Sequence, residues 1–395
     1  VYDIIIIGGG IVGLASAYEI LKHQNLKVLI LEKENEVAVH QSGRNSGVLH
    51  TGIYYTPGSL KAKNCIEGYG LMIEFCEQFN IPYEICGKLI VATNESELPA
   101  LEKIYQNGLQ NAMTNIKIIN RDAIKSIEPH VEGIKAIHVP HAGIVDYKKV
   151  AQQLQKLLEA KGCVFRFNEK VVQIQNQSNC VSISTTQSKY ETKKLINCAG
   201  LYSDEVAKLH NLPLSSRIIP FRGEYFQLKA HKKYLVNHLV YPVPDPSFPF
   251  LGVHFTRRIN GEIEAGPNAV FAFRKEGYRF SDFDLKEFKH SITYKGFQKI
   301  ALQYWKKGIR EMFRSISKRT FTKSLQQLIP ELKMNDLIPA PAGVRAQAIS
   351  DNGQLLDDFH ILTHQNCIHV INAPSPAATA SFAIGKHISD LFFYP

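Results

Sequence analysis

The sequence predicts an α/β fold that opens on a parallel β-α-β crossover, and three observations carry that prediction. Asp3 to Ile7 is a short β-branched apolar run, the mark of a buried parallel strand. Gly8-Gly9-Gly10-Ile11-Val12-Gly13 follows at once, and an apolar-periodic helix runs on to His23 with Leu14, Ala17, Ile20 and Leu21 on one face. Lys27 to Leu31 is a second apolar run, and it ends in Glu32.

Each part of this unit has a physical task. Gly8 permits the tight strand-to-helix turn. Gly10 has no Cβ, so a pyrophosphate can come close to the backbone, and Gly13 lets the helix pack on the strands. The helix start at Ile11 and Val12 offers free N–H groups and a partial positive charge to phosphates. Glu32 stands where a carboxylate accepts hydrogen bonds from a ribose diol. These residues predict a Rossmann-type dinucleotide site. Lys33 comes next, and then the polar, Gly-punctuated loop His40-Gln41-Ser42-Gly43-Arg44-Asn45-Ser46-Gly47. A nicotinamide enzyme would continue here with a regular β-α-β pattern. A loop of this kind at the crevice mouth instead supplies donors to a pyrophosphate and a flavin ring. Lys33, His40, Gln41, Ser42, Asn45, Ser46 and Gly47 therefore join the candidate FAD contacts.

Bulk properties narrow the rest. A chain of 395 residues with 45% hydrophobic content can bury a large core and predicts two structural units. No stretch reaches the roughly 20 apolar residues of a membrane-spanning helix. The chain opens on Val1-Tyr2-Asp3 and a strand, so no signal or transit segment is expected. Seven cysteines at irregular spacing, with no Cys-x-x-Cys pair, read as reduced thiols, small core residues in a reducing compartment. No metal-ligand cluster has recognisable spacing, so no metal is expected. The location expected is cytoplasmic, with peripheral attachment to the inner face of the cytoplasmic membrane as the alternative.

The formal net charge is +10. A nucleic acid, an anionic membrane surface and an acidic substrate are the partner classes that fit such a charge. No helix-turn-helix, zinc-finger or aromatic RNA platform is present, so nucleic acid is not expected. Much of the excess sits between Tyr304 and Lys323, where Lys306, Lys307, Arg310, Arg314, Lys318, Arg319 and Lys323 face one acid, Glu311. Trp305, Ile309, Met312, Phe313 and Ile316 fall at helical spacing beside them. A basic amphipathic helix of this kind, at about 298–323, either lies on a bilayer or packs on its own domain. Packing on its own domain is the commoner outcome.

The residues quoted so far resemble those of FAD enzymes of the D-amino-acid-oxidase-like superfamily, and Val48-Leu49-His50-Thr51-Gly52-Ile53-Tyr54-Tyr55 extends the match. Later segments resemble, more narrowly, the L-2-hydroxyglutarate dehydrogenase/oxidase family. They include Cys86-Gly87-Lys88-Leu89, His141 to Tyr147, Asn197 to Asp204, Pro220 to Tyr225, Phe248 to Thr256, Pro341 to Ala348 and Asn372 to Thr379. The resemblance implies two discontinuous domains. An FAD-binding domain would comprise 1–85, 145–213 and 341–395. A β-rich mixed-sheet substrate domain would comprise 86–144 and 214–340, with one helical insertion. It further implies that Ala199-Gly200 lies near the phosphates or ribitol and that the backbone at Val172 approaches adenine. Gly343 and Arg345 would return to the flavin. Ser375, Pro376 and Ala377 would open a helix, expected over 377–388, aimed at the flavin N1/C2 carbonyl. No His or Cys stands out for covalent attachment, so FAD is expected to be bound non-covalently.

Oxidising a 2-hydroxy acid on a flavin needs a base for the hydroxyl proton and cations for the carboxylates. Of fifteen histidines, His50 and His254 have motif context and are the catalytic candidates. Base, oxyanion partner and, for His50, flavin-positioning contact remain open roles. Arg222, Arg258 and Arg345 are the carboxylate candidates, although Glu224 offers Arg222 a structural ion pair. Tyr54 and Tyr241 are candidate hydrogen-bond partners of the substrate. The function expected from the resemblance is oxidation of the dicarboxylate L-2-hydroxyglutarate to 2-oxoglutarate, with electrons passing to a membrane quinone or to oxygen. An amine oxidase of glycine- or sarcosine-oxidase type is the alternative. A flavin-binding membrane module without turnover is a third reading.

Overall fold

The first sheet grows around the predicted crossover. In the computed structural model, which describes residues 1–245 and 252–394, Tyr2–Ile7 is its central strand. Val28–Leu31 lies parallel on one side and Lys189–Asn197 parallel on the other. Val164–Arg166 and Cys367–Asn372 extend the parallel core outward. Ile4, Ile5 and Ile6 are fully buried, as a parallel strand covered on both faces requires. One face packs against the helices Ile11–His23, Tyr147–Ala160 and Ser381–Phe393. The other packs with the antiparallel strands Val171–Asn176 and Val181–Thr185, which continue the same sheet from Lys189–Asn197, and with the helix Ser203–Leu209.

Two glycines make the opening turn possible. Gly8 has φ +111°, and a Cβ there would stand 2.4 Å from the Cys198 carbonyl oxygen. A Cβ on Gly13 would stand 2.3 Å from the Gly8 carbonyl oxygen, so the helix sits against the strand only because that position is bare.

The second sheet has nine strands among the described residues. Its spine is the antiparallel pair Ser216–Leu228 and Leu337–Ser350. Lys88–Ala92, Leu239–Pro242 and His254–Arg257 lie side by side further along it. A small third sheet of Val48–Leu49, Tyr83–Glu84 and Gly143–Val145 stands apart from both. Residue 341 falls inside Leu337–Ser350, so strand pairing returns to the first sheet only at His360. Of the run Phe248 to Thr256, positions 248–251 lie outside the described residues, and the strand begins at His254.

Three expectations need correction. The C-terminal helix starts at Ser381, not at Ala377. Residues 374–380 form successive turns, with the amides of Ala377 and Ala380 bonded to the carbonyls of Pro374 and Pro376. The Thr379 hydroxyl is meanwhile committed to Tyr147 and the Val48 carbonyl. The single helical insertion is three helices, Leu285–Ile292, Lys295–Ile316 and Lys318–Leu325. Finally, the basic amphipathic helix does not bury its apolar stripe. Leu302, Trp305, Ile309, Phe313 and Ile316 are all exposed, Leu302 by 77% and Phe313 by 65%. Only Gly296, Ile300 and Glu311 of that helix are buried.

Candidate active site

A cavity of about 980 Å³ joins the glycine turn to the second sheet, a size suited to a cofactor together with a small substrate. At the turn it is lined by Gly8, Gly10, Ile11 and Val12. Glu32 is buried and accepts from the amides of Gly9 (2.7 Å) and Glu34 (3.0 Å), which fixes its carboxylate at the end of the second strand. Lys33 and His40 also line the cavity, tied to each other and to Glu34 and Glu276. The polar loop is stapled by its own side chains. Asn45 donates to the carbonyls of Gln41 and Ser42 and accepts from Gly47, while the Ser42 hydroxyl accepts from the Ile11 amide. Gln41, Ser42, Asn45 and Ser46 face the cavity, and so do Val172, Ala199, Gly200, Gly343, Ser375, Pro376 and Ala377.

Gly13 and Gly47 do not line the cavity. Gly13 serves the helix contact described above. Gly47 pairs with Val145, whose amide it accepts and whose carbonyl oxygen would stand 2.7 Å from a Cβ at position 47.

Behind the loop after Asn197 lies a buried relay. Asn197 accepts from the Ala199 amide and donates to the Ser203 carbonyl and to His369 Nδ1. His369 Nε2 then bonds His210 Nδ1 at 3.1 Å, and His210 Nε2 bonds Asn176 Oδ1 at 2.9 Å. One tautomer assignment satisfies the whole chain of bonds. His210 and His369 are thus a hydrogen-bonded support of the cofactor loop, and Cys367 Sγ lies 3.4 Å from His210 Nε2 beside them.

The second-sheet side of the cavity gathers His50, Tyr54, Tyr241, His254 and Arg345. His254 is 4% exposed, and its Nδ1 donates to the Gly252 carbonyl at 2.9 Å. That bond leaves the lone pair on Nε2. Burial pulls its pKa down to about 3. Burial likewise holds His50 well below the ordinary imidazole range, helped by the charge of Lys88. His50 is held by a backbone bond to the Thr379 hydroxyl. Among the described residues the buried Tyr54 hydroxyl has no hydrogen-bond partner, which marks a place for a ligand atom. Burial also draws down the pKa of Arg345.

Two expected carboxylate ligands are elsewhere. Arg222 is buried, paired through Nε to Glu224 at 2.7 Å and bonded through Nη1 to the Arg279 carbonyl. Arg258 pairs with Glu264 at 3.0 Å and donates to the Asn45 carbonyl, so it braces the cofactor loop. Neither lines the cavity. Residues that sequence reasoning missed take their place in the wall: Tyr55, Lys61 and Tyr225. Burial pushes the Tyr225 hydroxyl up to about 12. Tyr55 and Lys61 were within reach of sequence analysis, because they stand directly beside and just after Tyr54.

The buried histidines make stability fall in acid. His254 and His369 are neutral in the fold, with pKa values near 3 and 4 against an ordinary 6.5. Below 6.5 the unfolded chain therefore takes up protons that the folded one refuses. Their stabilising effect is complete above 6.5 and is lost as pH falls toward the folded values. The expected loss is about 1.4 kcal/mol per pH unit for each histidine. Thermal melting from neutral pH down to about 4.5 checks this. A flat melting temperature over that range would contradict it.

Comparison with known proteins agrees with this geometry. Residues 3–391 match the family described as DAO, FAD dependent oxidoreductase. An L-2-hydroxyglutarate dehydrogenase of Indibacter alkaliphilus is 52% identical, over 98% of both chains. The chain belongs to the L-2-hydroxyglutarate dehydrogenase family of FAD-dependent oxidoreductases. The human mitochondrial L-2-hydroxyglutarate dehydrogenase is 46% identical, over 98% of this chain and 88% of that protein. A solved relative is L-alpha-glycerophosphate oxidase of Mycoplasma pneumoniae with FAD bound. It has a TM-score of 0.82 and 25% identity, over 100% of this chain and 95% of that one. FAD is thus the cofactor of this family member. The bare glycine turn, the anchored Glu32 carboxylate and the stapled polar loop fit that cofactor, and Gly8, Gly10, Glu32 and Ala199, which line the cavity, are the residues that would hold its nucleotide.

Proposed function

We propose that this protein oxidises L-2-hydroxyglutarate to 2-oxoglutarate. The observation that carries the reading is one cavity whose lining brings two neutral histidines and the half-buried Arg345 together with the dinucleotide turn. Bound FAD supplies the two-electron acceptor for the hydride from C2. Arg345 holds a carboxylate, and Tyr54 donates its unpartnered hydroxyl to the substrate. His254 Nε2, oriented by the Gly252 carbonyl, takes the hydroxyl proton as the C2 carbonyl forms. His50 stays neutral on the same wall and positions the substrate oxygen. An assay with an artificial acceptor tests the reaction. Equal amounts of 2-oxoglutarate and reduced acceptor are expected from the L-acid and none from the D-acid. Product from glycine alone would favour the amine-oxidase alternative.

A membrane quinone is the acceptor this reading favours, with the protein bound peripherally on the cytoplasmic face. No described helix is long and apolar enough to cross a membrane. The support is the stripe Leu302, Trp305, Ile309, Phe313 and Ile316, exposed on a helix that also carries Lys306 and Arg310. Burying such a stripe at the headgroup boundary, beside cations facing anionic lipid, is how interfacial helices bind. Arg314 contributes less than its sequence suggests, because it is paired with Glu311 at 2.5 Å. Trp305→Glu with Phe313→Glu should weaken binding to anionic vesicles by at least about tenfold. Unchanged binding would remove the membrane assignment and leave oxygen as the acceptor.

A further inference from the structure

One buried cation has no place in the chemistry above. Lys88 opens the strand Lys88–Ala92 and is 2% exposed. Among the described residues no carboxylate pairs with it, and the groups that favour its charged form are the thiols of Cys65 and Cys86, themselves held protonated by burial. Taking a lone ammonium out of water is costly, so an unneutralised one in a fold calls for a reason.

The sheet shows where this charge acts. The strand Leu239–Pro242 runs between Lys88–Ala92 and His254–Arg257. Tyr241 is on that middle strand. The Lys88 ammonium lies 4.3 Å from the centre of the Tyr241 ring and 5.5 Å from that of Tyr54. The His254 imidazole stacks on Tyr241 with ring centres 3.9 Å apart. Tyr241 therefore has the cation of one neighbouring strand and the imidazole of the other against it. Tyr54 and Tyr241 line the cavity in front of the ammonium. Aromatic faces stabilise a cation without cancelling its charge. In a poorly polarisable interior that charge is felt several ångströms away.

We propose that Lys88 is a positioning residue for the substrate, an unneutralised cation behind the Tyr54–Tyr241 wall whose field holds a dianionic hydroxy acid against His50 and His254. This rests on the dicarboxylate reading of the site. The groups facing its ammonium are Tyr54 from the loop after Val48–Leu49, Cys65 from the helix Leu60–Gln78, Cys86 beside its own strand and Tyr241 from the neighbouring one. Beyond Tyr241 lie His254, neutral in the fold, and the guanidinium of Arg345, whose charge acts on His254. The same field presses His50 and His254 toward the neutral form. Burial brings Lys88 itself down to about 8, so its charge is lost just above neutral pH.

The test uses the FAD-loaded protein and two probes, 2-oxoglutarate and L-2-hydroxyglutarate. In the native protein, 2-oxoglutarate affinity, read from the shift of the flavin band, should be constant below about 8 and then weaken toward tenfold per pH unit. Lys88→Met should weaken that affinity by about tenfold or more and move the acid limb of anaerobic flavin reduction to higher pH, while Lys88→Arg restores both. A role in packing alone would move neither the acid limb nor its rescue by arginine. Native protein that L-2-hydroxyglutarate fails to reduce contradicts the substrate reading. Native protein that is reduced, with Lys88→Met matching it in affinity and acid limb, overturns the role of Lys88 alone. If Lys88→Met loses its flavin, the native titration decides, and a pH-independent affinity overturns the proposal.

Discussion

His254→Asn should slow anaerobic flavin reduction by about a hundredfold to ten-thousandfold, the span of general-base catalysis, with FAD still bound. The substitution is chosen to keep the fold. An asparagine amide can still donate to the Gly252 carbonyl, the bond that now orients the ring. What disappears is the lone pair on Nε2. The low pKa of His254 does not disqualify it. A group that is neutral at every physiological pH is always ready to accept, and a bound dianion raises its basicity at the moment of need. Rapid-mixing absorbance at the flavin band reads the result. His50→Asn should cost less, since His50 positions the substrate oxygen without taking its proton. The reverse order of effects would exchange the two roles.

Arg345→Met should lower kcat/KM by about thirtyfold to several thousandfold, the effect of removing one member of a buried hydrogen-bonded charge pair. The loss should fall mainly on KM, because a carboxylate clamp acts on bound substrate and transition state alike. Arg345 lies opposite Phe221 in the spine of the second sheet. Two residues earlier, a Cβ on Gly343 would stand 2.5 Å from the Arg44 carbonyl oxygen, so this strand presses directly on the cofactor loop. Arg345→Lys keeps the charge and loses the planar fork, and should fall between native and Met. Steady-state kinetics over a wide substrate range separates KM from kcat. An unchanged KM in Arg345→Met would move the clamp to Lys61, another cation on the cavity wall.

The parts of the molecule legible in the sequence are those whose physics is local. The turn at Gly8–Gly13 is dictated by backbone sterics within a few residues, and Glu32 by the length of one helix and one strand. His50, Tyr54 and Arg345 carried motif context, and the fold brings them to one wall. The fate of Arg222 and Arg258 was not legible in full. Glu224 was visible two residues from Arg222, but the carbonyls of Arg279 and Asn45 are supplied by distant segments. Lys88 stands in a family-like segment, but its meaning depends on which strands flank Leu239–Pro242. The helix Lys295–Ile316 is the instructive failure. Its periodicity was plain, yet periodicity cannot say whether an apolar face meets a core or solvent, and here it meets solvent.

Anaerobic reduction of the bound flavin tests the central claim most directly, because it needs no electron acceptor. The yellow protein is mixed separately with L-2-hydroxyglutarate, D-2-hydroxyglutarate and glycine, and the visible flavin band is followed. Rapid bleaching by the L-hydroxy acid alone is the predicted result. Bleaching by glycine with none from the L-hydroxy acid would contradict the account and strip His254 of its role as base.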